Sequence, residues 1–374
     1  MEFIHLADLH LGKQFNGVSL LEDQKAVLFE QIVPMIEKEN VDAVLIAGDV
    51  YQSSAPQAEA MEVFSKFLSE VVSLGKKVFI ISGNHDSSQR ISYFSSLIKQ
   101  AGVYVSETFD GTLQSIDLSD EYGPLTIYML PFVRTALVKK LLPDESISTC
   151  QDAVEAVLRQ TEIDRSKRNI LICHQFITGS ETSDSEEFSV GGLDNIEASI
   201  FDDFDYVALG HIHKPQKVKR ETLRYAGSPI KYSFSEANQN KCVTIVDVKE
   251  KGNIEISTLP IYQVHDVRKV EGYLDELLEG KYTEDYVWVT IHDENVPPDA
   301  TITLRSVFPN MMNFSVVNSK TKTDFNISGG EDIEDKTILE LFEDFYRMQN
   351  NDQEMSEKHK IEFKKVLEEL EEER

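Results

Sequence analysis

Carboxylate, amide and imidazole side chains occur in one fixed order along this chain: Asp8 and His10, then Asp49, Asn84, His174, His211 and His213. A mixed set of this kind, without thiolate, suits Mn or Fe, with Zn possible. Two cations roughly 3.5–4 Å apart need one bridging carboxylate, and a water held between them becomes a nucleophile near neutral pH. Asp49 is expected to be the bridge. Asp8, His10 and His213 would complete one cation position, and Asn84, His174 and His211 the other. Attack in line on phosphorus is the chemistry such a centre performs. His85 is not needed as a ligand and is the candidate to protonate the leaving oxygen or hold the phosphate. Asp86 is the candidate to orient His85.

Each group sits at the end of an apolar run that reads as a buried strand. Met1–Ala7 leads into Asp8, Val41–Ala47 into Gly48-Asp49, and Lys77–Ser82 into Gly83-Asn84-His85-Asp86. Asn169–Cys173 leads into His174, and Tyr206–Leu209 into Gly210-His211-Ile212-His213. Asp-x-His and His-x-His each put two side chains on one face of a strand, because strand periodicity is two. Taken singly, Asp-x-His and Gly-Asp are weak signals, Gly83-Asn84-His85-Asp86 is stronger and Gly210-His211-Ile212-His213 is moderately specific. Gly-Asp is a common turn, and His174 alone reads as a core histidine. Their weight lies in all of them falling at strand ends in order.

The intervening segments explain how strand ends could meet. Val18–Glu39, Pro56–Leu74 and Ile91–Gln100 read as helices, so residues 1–110 alternate strand and helix. That implies a largely parallel sheet, whose ligands gather at the carboxyl ends of strands. From about residue 111, short strands (Leu113–Leu118, Leu125–Leu130, Leu223–Tyr225, Cys242–Val248, Ile254–Leu259) and a helix near Gln151–Gln160 predict a second sheet packed on the first. Gly179–Gly192 reads as a mobile acidic loop. After His265 a small α+β domain is expected, with helices at Tyr273–Leu278 and Ala300–Val307 and strands at Tyr286–Ile291 and Phe314–Val317. The last segment carries two apolar stripes: Ile338, Leu341, Phe342, Phe345 and Met348, then Ile361, Phe363, Val366, Leu367 and Leu370. It cannot bury them alone. It packs onto its own body or onto a partner helix, and the charged linker Asn350–Lys358 favours the partner.

The 374 residues suggest roughly two to three domains. No run approaches the ~18–20 apolar residues of a membrane span. No basic, cleavable leader precedes the first strand, so a soluble, unexported protein is expected. Cys150, Cys173 and Cys242 are too few and too scattered for a disulfide framework, which fits a reducing compartment. The formal charge is −28, from 37 basic and 65 acidic residues. That opposes binding to nucleic acid unless the bases are segregated. Acid collects in Glu181–Glu187, Glu331–Asp335 and Glu368–Glu373; base collects in Arg165–Arg168 and in Lys214, Lys217, Lys219, Arg220 and Arg224.

The ordered pattern Asp-x-His, Gly-Asp, Gly-Asn-His-Asp, His and Gly-His-x-His across residues 8–213 resembles the calcineurin-like metallophosphoesterase superfamily. Leu6–Gly12 (LADLHLG), Gly48–Tyr51 (GDVY) and Tyr225–Glu236 (YAGSPIKYSFSE) are similar to the bacterial SbcD nucleases within it. The resemblance implies a four-layer α/β/β/α sandwich at 1–262, a small α+β capping domain at 263–335 and C-terminal helices at 336–374. It implies Mn-dependent cleavage of DNA, 3′→5′ from duplex ends and endonucleolytic on single strands and hairpins, in repair and recombination. It also implies a homodimer, with Ser53–Phe67 and Ile91–Gln100 as candidate interface segments, working in a heterotetramer with the SbcC ATPase, whose coiled coils Lys336–Arg374 would dock. A cytoplasmic, nucleoid-associated location follows. The alternative is a phosphatase or cyclic-nucleotide phosphodiesterase on the same core.

Overall fold

The computed structural model describes residues 1–186, 195–319, 321, 338–349 and 354–372. Glu331–Asp335, Lys336, the start of the linker at 350–353, the end of the acidic loop from 187 to 192, and residues 373–374 lie outside the described residues. The chain forms two compact units, Met1–Arg268 and Lys269–Arg374.

The first unit contains two six-stranded sheets. One has the order Ile254–Pro260, Cys242–Val248, Glu2–Leu6, Ala43–Ala47, Lys77–Ile81, Val103–Val105. Its last four strands run parallel. The other has the order Gln216–Val218, Arg220–Tyr225, Tyr206–Gly210, Arg168–His174, Gly123–Leu130, Gln114–Asp120. Its central four are parallel and its edges antiparallel.

Side-chain alternation sorts the layers. Ile127, Ile170, Ile172, Tyr206 and Ala208 of the second sheet share one buried cluster with Phe3, Leu45 and Phe79 of the first, so the sheets face each other. Their neighbours Tyr128, Leu171, Val207 and Leu209 point the other way. There they meet Val138 of helix Thr135–Leu141 and Val154 and Val157 of helix Cys150–Arg159. Helix Ala58–Ser73, through its buried Phe64, Phe67 and Val71, covers the outer face of the first sheet. These are the four layers α/β/β/α that the resemblance implies. Strands buried on both faces read as continuous apolar runs, as the sequence of Ala43–Ala47 does.

Several expectations change. Cys242–Val248 and Ile254–Pro260 join the first sheet rather than the second. Cys242–Val248 lies antiparallel to Glu2–Leu6 with Phe3 opposite Val246, which pairs the backbone of a strand that would otherwise be an exposed edge. Val18–Ser19 is a short strand, and the helix runs from Leu21 to Glu39 with a π-helical stretch at Val27–Ile32. Pro34 follows that stretch and cannot donate a helical bond, a common reason for such a break. Ile91–Gln100 divides into Ser88–Ile91, Ser95–Ile98 and a 3₁₀ turn at Lys99–Ala101. Its serines favour caps over helix interiors, and the Ser87 hydroxyl caps the first piece.

In the second unit a sheet of Val267–Gly272, Tyr286–Ile291 and Met311–Val316 packs one face on helices Leu274–Leu278 and Ala300–Leu304, around Leu274, Val287, Val289, Leu304 and Phe308. Helices Ile338–Gln349 and Glu357–Glu372 follow. Of the two apolar stripes, only Phe342, Phe345, Ile361 and Phe363 have described side chains. Phe342 stacks on Phe363 with centroids 3.8 Å apart, whereas Phe345 and Ile361 are exposed. The stripes therefore meet in part across the hairpin. Among the described residues no helix is long and apolar enough to cross a membrane.

Candidate metal centre

The five ligand-bearing segments leave the carboxyl ends of five parallel strands, three from one sheet and two from the other. Sharp turns follow each strand. Asp8 (φ 53°), His10 (φ 42°), Asp49 (φ 49°) and His211 (φ 105°) all have positive φ. Non-glycine residues rarely adopt that region, and each such residue stores roughly 1–3 kcal/mol. The turns are held by main-chain bonds from Asp8 N to Gly48 O (3.1 Å) and from His10 N to Asp49 O (2.9 Å). Gly48 (φ +86°) is required twice over, since a Cβ there would overlap the His174 ring. At Gly83 a Cβ would overlap the Asp49 carboxylate.

All seven expected ligands converge. His10 Nε2 lies 3.1 Å from His213 Nε2, and Asp8 joins them in one buried set. Asn84 Oδ1 lies 3.0 Å from His174 Nε2 and 3.1 Å from His211 Nδ1. Asp49 Oδ2 stands between the two groups, 3.5 Å from His10 Nε2 and 3.4 Å from His174 Nε2. Asp8 also reaches toward Asp49 and His174, and its carboxylate accepts the His211 amide (2.9 Å). Donor atoms about 3–3.5 Å apart are the edges of a coordination shell with bonds of about 2.1 Å.

The electrostatics ask for added positive charge. Burial raises Asp8 to about 6, with Asp49 adding to the rise. Burial also opposes ionisation of Asp49, yet the His174, His10 and His85 rings hold it well below the usual carboxylate range. Burial would lower His174, but Asp49 bonded to it and Asp8 nearby raise it to about 9. Burial drives His10 well below its ordinary value. Two buried carboxylates that hold a proton on His174 in the absence of any other cation fit a pair of divalent cations. Asp8, His10 and His213 would hold one and Asn84, His174 and His211 the other, with Asp49 common to both.

His85 lies beside His10 and Asp49 and is partly exposed. Its Nδ1 meets the Gln52 carbonyl at 3.1 Å, and its Nε2 lies 4.0 Å from Asp49 Oδ2. Asp86 does not orient it. The Asp86 carboxylate accepts the amides of Val50, Tyr51 and Gly83 at 2.9–3.1 Å and so ties two ligand turns together. Burial, with Asp49 adding, raises it to about 7. Gln52 is thus a residue that sequence reasoning missed, with no pattern to mark it. Ser185, Glu186 and Lys241 were missed as well. Ser185 Oγ meets His213 Nδ1 at 2.6 Å, and Glu186 Oε1 accepts the His213 amide at 2.8 Å. The only signal was Glu236 within the quoted Tyr225–Glu236 segment.

The expected basic strip is largely neutralised within the chain. Lys214 pairs with Glu181, and Lys217 and Arg224 pair with Glu221. Arg220 caps the carbonyls of Phe201 and Phe204, and Arg168 is buried against Asp120.

Comparison with known proteins places these observations in a lineage. Residues 1–215 match the calcineurin-like phosphoesterase family. Residues 263–350 match the type 5 capsule protein repressor C-terminal domain, a family also designated as the SbcD C-terminal domain. The SbcD subunit of the SbcCD nuclease from Staphylococcus epidermidis is 32% identical over 350 residues, covering 91% of this chain and 92% of that protein. A solved chain with 12% identity has a TM-score of 0.34 over 69% of this chain and 98% of its own, too weak a likeness to bear on the fold. Neither the matched families nor the relative favours the phosphatase alternative. With catalytic and C-terminal regions both matched, the chain belongs to the SbcD nuclease family of calcineurin-like metal-dependent phosphodiesterases.

Proposed function

We propose that this chain hydrolyses DNA phosphodiesters with two divalent cations, manganese first among them. It would act 3′→5′ on duplex ends and endonucleolytically on single strands and hairpins. The observation that carries the reading is the convergence of Asp8, His10, Asp49, Asn84, His174, His211 and His213 on one buried cluster with Asp49 central. The cations, when bound, would supply an activated water and neutralise charge on the phosphate. The chain's own residues do the rest. The Gln52 carbonyl accepts from His85 Nδ1, so Nε2 is the atom that, in the doubly protonated ring, can give a proton to the leaving oxygen or hold a phosphate oxygen. Asp86 keeps the Asp49 and Asn84 turns in register rather than touching substrate.

The working assembly would be a homodimer joined to the SbcC ATPase in a heterotetramer. Exposed Met61, Tyr93 (76%) and Phe94 border an apolar cavity of about 800 Å³, with exposed Leu97 on the same segment as Tyr93 and Phe94, which supports Ser53–Phe67 and Ile91–Gln100 as the dimer face. Exposed Phe345 and Ile361 support docking of the tail, 336–374, on SbcC, with 263–335 as a capping domain over the DNA. The internal pairing of the basic strip means that DNA affinity draws on that partner.

The test assays purified chain with Mn²⁺, with and without SbcC, on a labelled hairpin beside a small phosphate monoester. Hairpin cleavage is the expected result. Turnover of the monoester alone, with DNA untouched even when SbcC is present, would contradict the proposal.

A further inference from the structure

Behind His213 a chain of hydrogen bonds runs through half-buried Ser185 to buried Glu236 and Lys241. His213 Nδ1 meets Ser185 Oγ at 2.6 Å, Ser185 Oγ meets Glu236 Oε1 at 2.6 Å, and Glu236 Oε2 accepts from Lys241 Nζ at 2.6 Å. Glu236 and Lys241 are almost fully buried. The Glu236 carboxylate also receives the Ser233 hydroxyl at 3.1 Å and the Tyr232 amide at 3.2 Å. Ser183 Oγ lies 2.9 Å from Ser185 Oγ but gives its own hydrogen to Glu186 Oε2 at 2.7 Å.

The directions of these bonds follow from counting hydrogens. An ionised carboxylate paired with a lysine can only accept. Ser185 has one hydrogen, and it goes to Glu236 or to Ser183. In either case its oxygen must accept from the imidazole. His213 then carries its proton on Nδ1 and presents the Nε2 lone pair, the atom that faces His10 Nε2. The main chain of His213 is held at the same time, its amide by Glu186 and its carbonyl by Lys241 Nζ at 2.7 Å.

We propose that Ser185 and Glu236, anchored by Lys241, are positioning residues that lock the His213 tautomer and thereby set the affinity of the Asp8/His10/His213 cation position. This deepens the two-cation reading above and rests on it. Partners behind a metal-ligating histidine typically change metal affinity or activity about 10–100-fold when removed.

The test titrates Mn²⁺ into full-length metal-free wild type, Ser185→Ala and Ser185→Thr, with thermal unfolding as the check on folding. Ser185→Ala is expected to weaken one of two Mn²⁺ binding steps by about 10–100-fold and leave the other in place. Cleavage should need correspondingly more Mn²⁺ yet recover its kcat at saturation. Ser185→Thr, which keeps the hydroxyl, should restore binding. Unchanged Mn²⁺ binding in folded Ser185→Ala would overturn the proposal. Histidine-labelled NMR of the metal-free wild type supplies a second test that needs no altered network: His213 should be protonated on Nδ1, and a proton on Nε2 would overturn it. Wild type that binds no Mn²⁺ would instead sink the two-cation reading itself.

Discussion

The two halves of the centre are held in different ways. His174 is fixed by the main chain: its Nδ1 donates to the Ala47 carbonyl at 2.8 Å, and Gly48 leaves just enough room for its ring. His213 is fixed by side chains, through Ser185, Glu236 and Lys241. A main-chain acceptor comes with the strand and cannot be substituted away. A side-chain relay can be retuned by single changes. The His174 half is therefore built into the sandwich, whereas the His213 half is adjustable, with Asp49 joining them.

The largest expected effect removes what the halves share. Asp49→Asn should weaken Mn²⁺ binding at both positions by about 10²–10⁴-fold, the cost of breaking a buried charge pair, and reduce hairpin cleavage to background. Calorimetric titration and the cleavage assay check it; loss of one ion only would show that Asp49 does not join the halves. Next, His85→Ala should leave both Mn²⁺ binding steps intact while cleavage falls about 10²–10⁴-fold. A wild-type rate would reassign His85.

A smaller effect separates the halves. Gly48→Ala imposes strain of about 1–3 kcal/mol and pushes on His174, so it should lower the melting temperature and weaken one Mn²⁺ step. Combined with Ser185→Ala it should affect both steps, each independently. If Gly48→Ala and Ser185→Ala weaken the same step, the contrast between the halves fails. The smallest effect is expected at Lys217→Ala. Its exposed pairing with Glu221 is screened by solvent, and DNA affinity should change less than about threefold, since a lysine already neutralised makes little net contribution. A tenfold loss would return the basic strip to the DNA interface.

The meeting of Asp8, His10, Asp49, Asn84, His174, His211 and His213 was legible because local rules produce it. Apolar runs make buried parallel strands, such strands end at one edge, and polar groups at those ends have nowhere else to meet. The placement of Cys242–Val248 was not legible, because an apolar strand fits either sheet until the free edge of Glu2–Leu6 is seen. The Ser185–Glu236–Lys241 relay was hidden for a related reason. Its members are ordinary polar residues brought together by the fold from separate segments, with no spacing between them to read. Asp86 misled because adjacency to His85 suggested a pair, whereas three main-chain amides compete successfully for its carboxylate.

Anomalous diffraction from crystals soaked in Mn²⁺ tests the central claim most directly. Two peaks are expected on either side of Asp49, one within reach of Asp8, His10 and His213 and the other of Asn84, His174 and His211. A single peak, or Mn²⁺ bound away from Asp49, would contradict it.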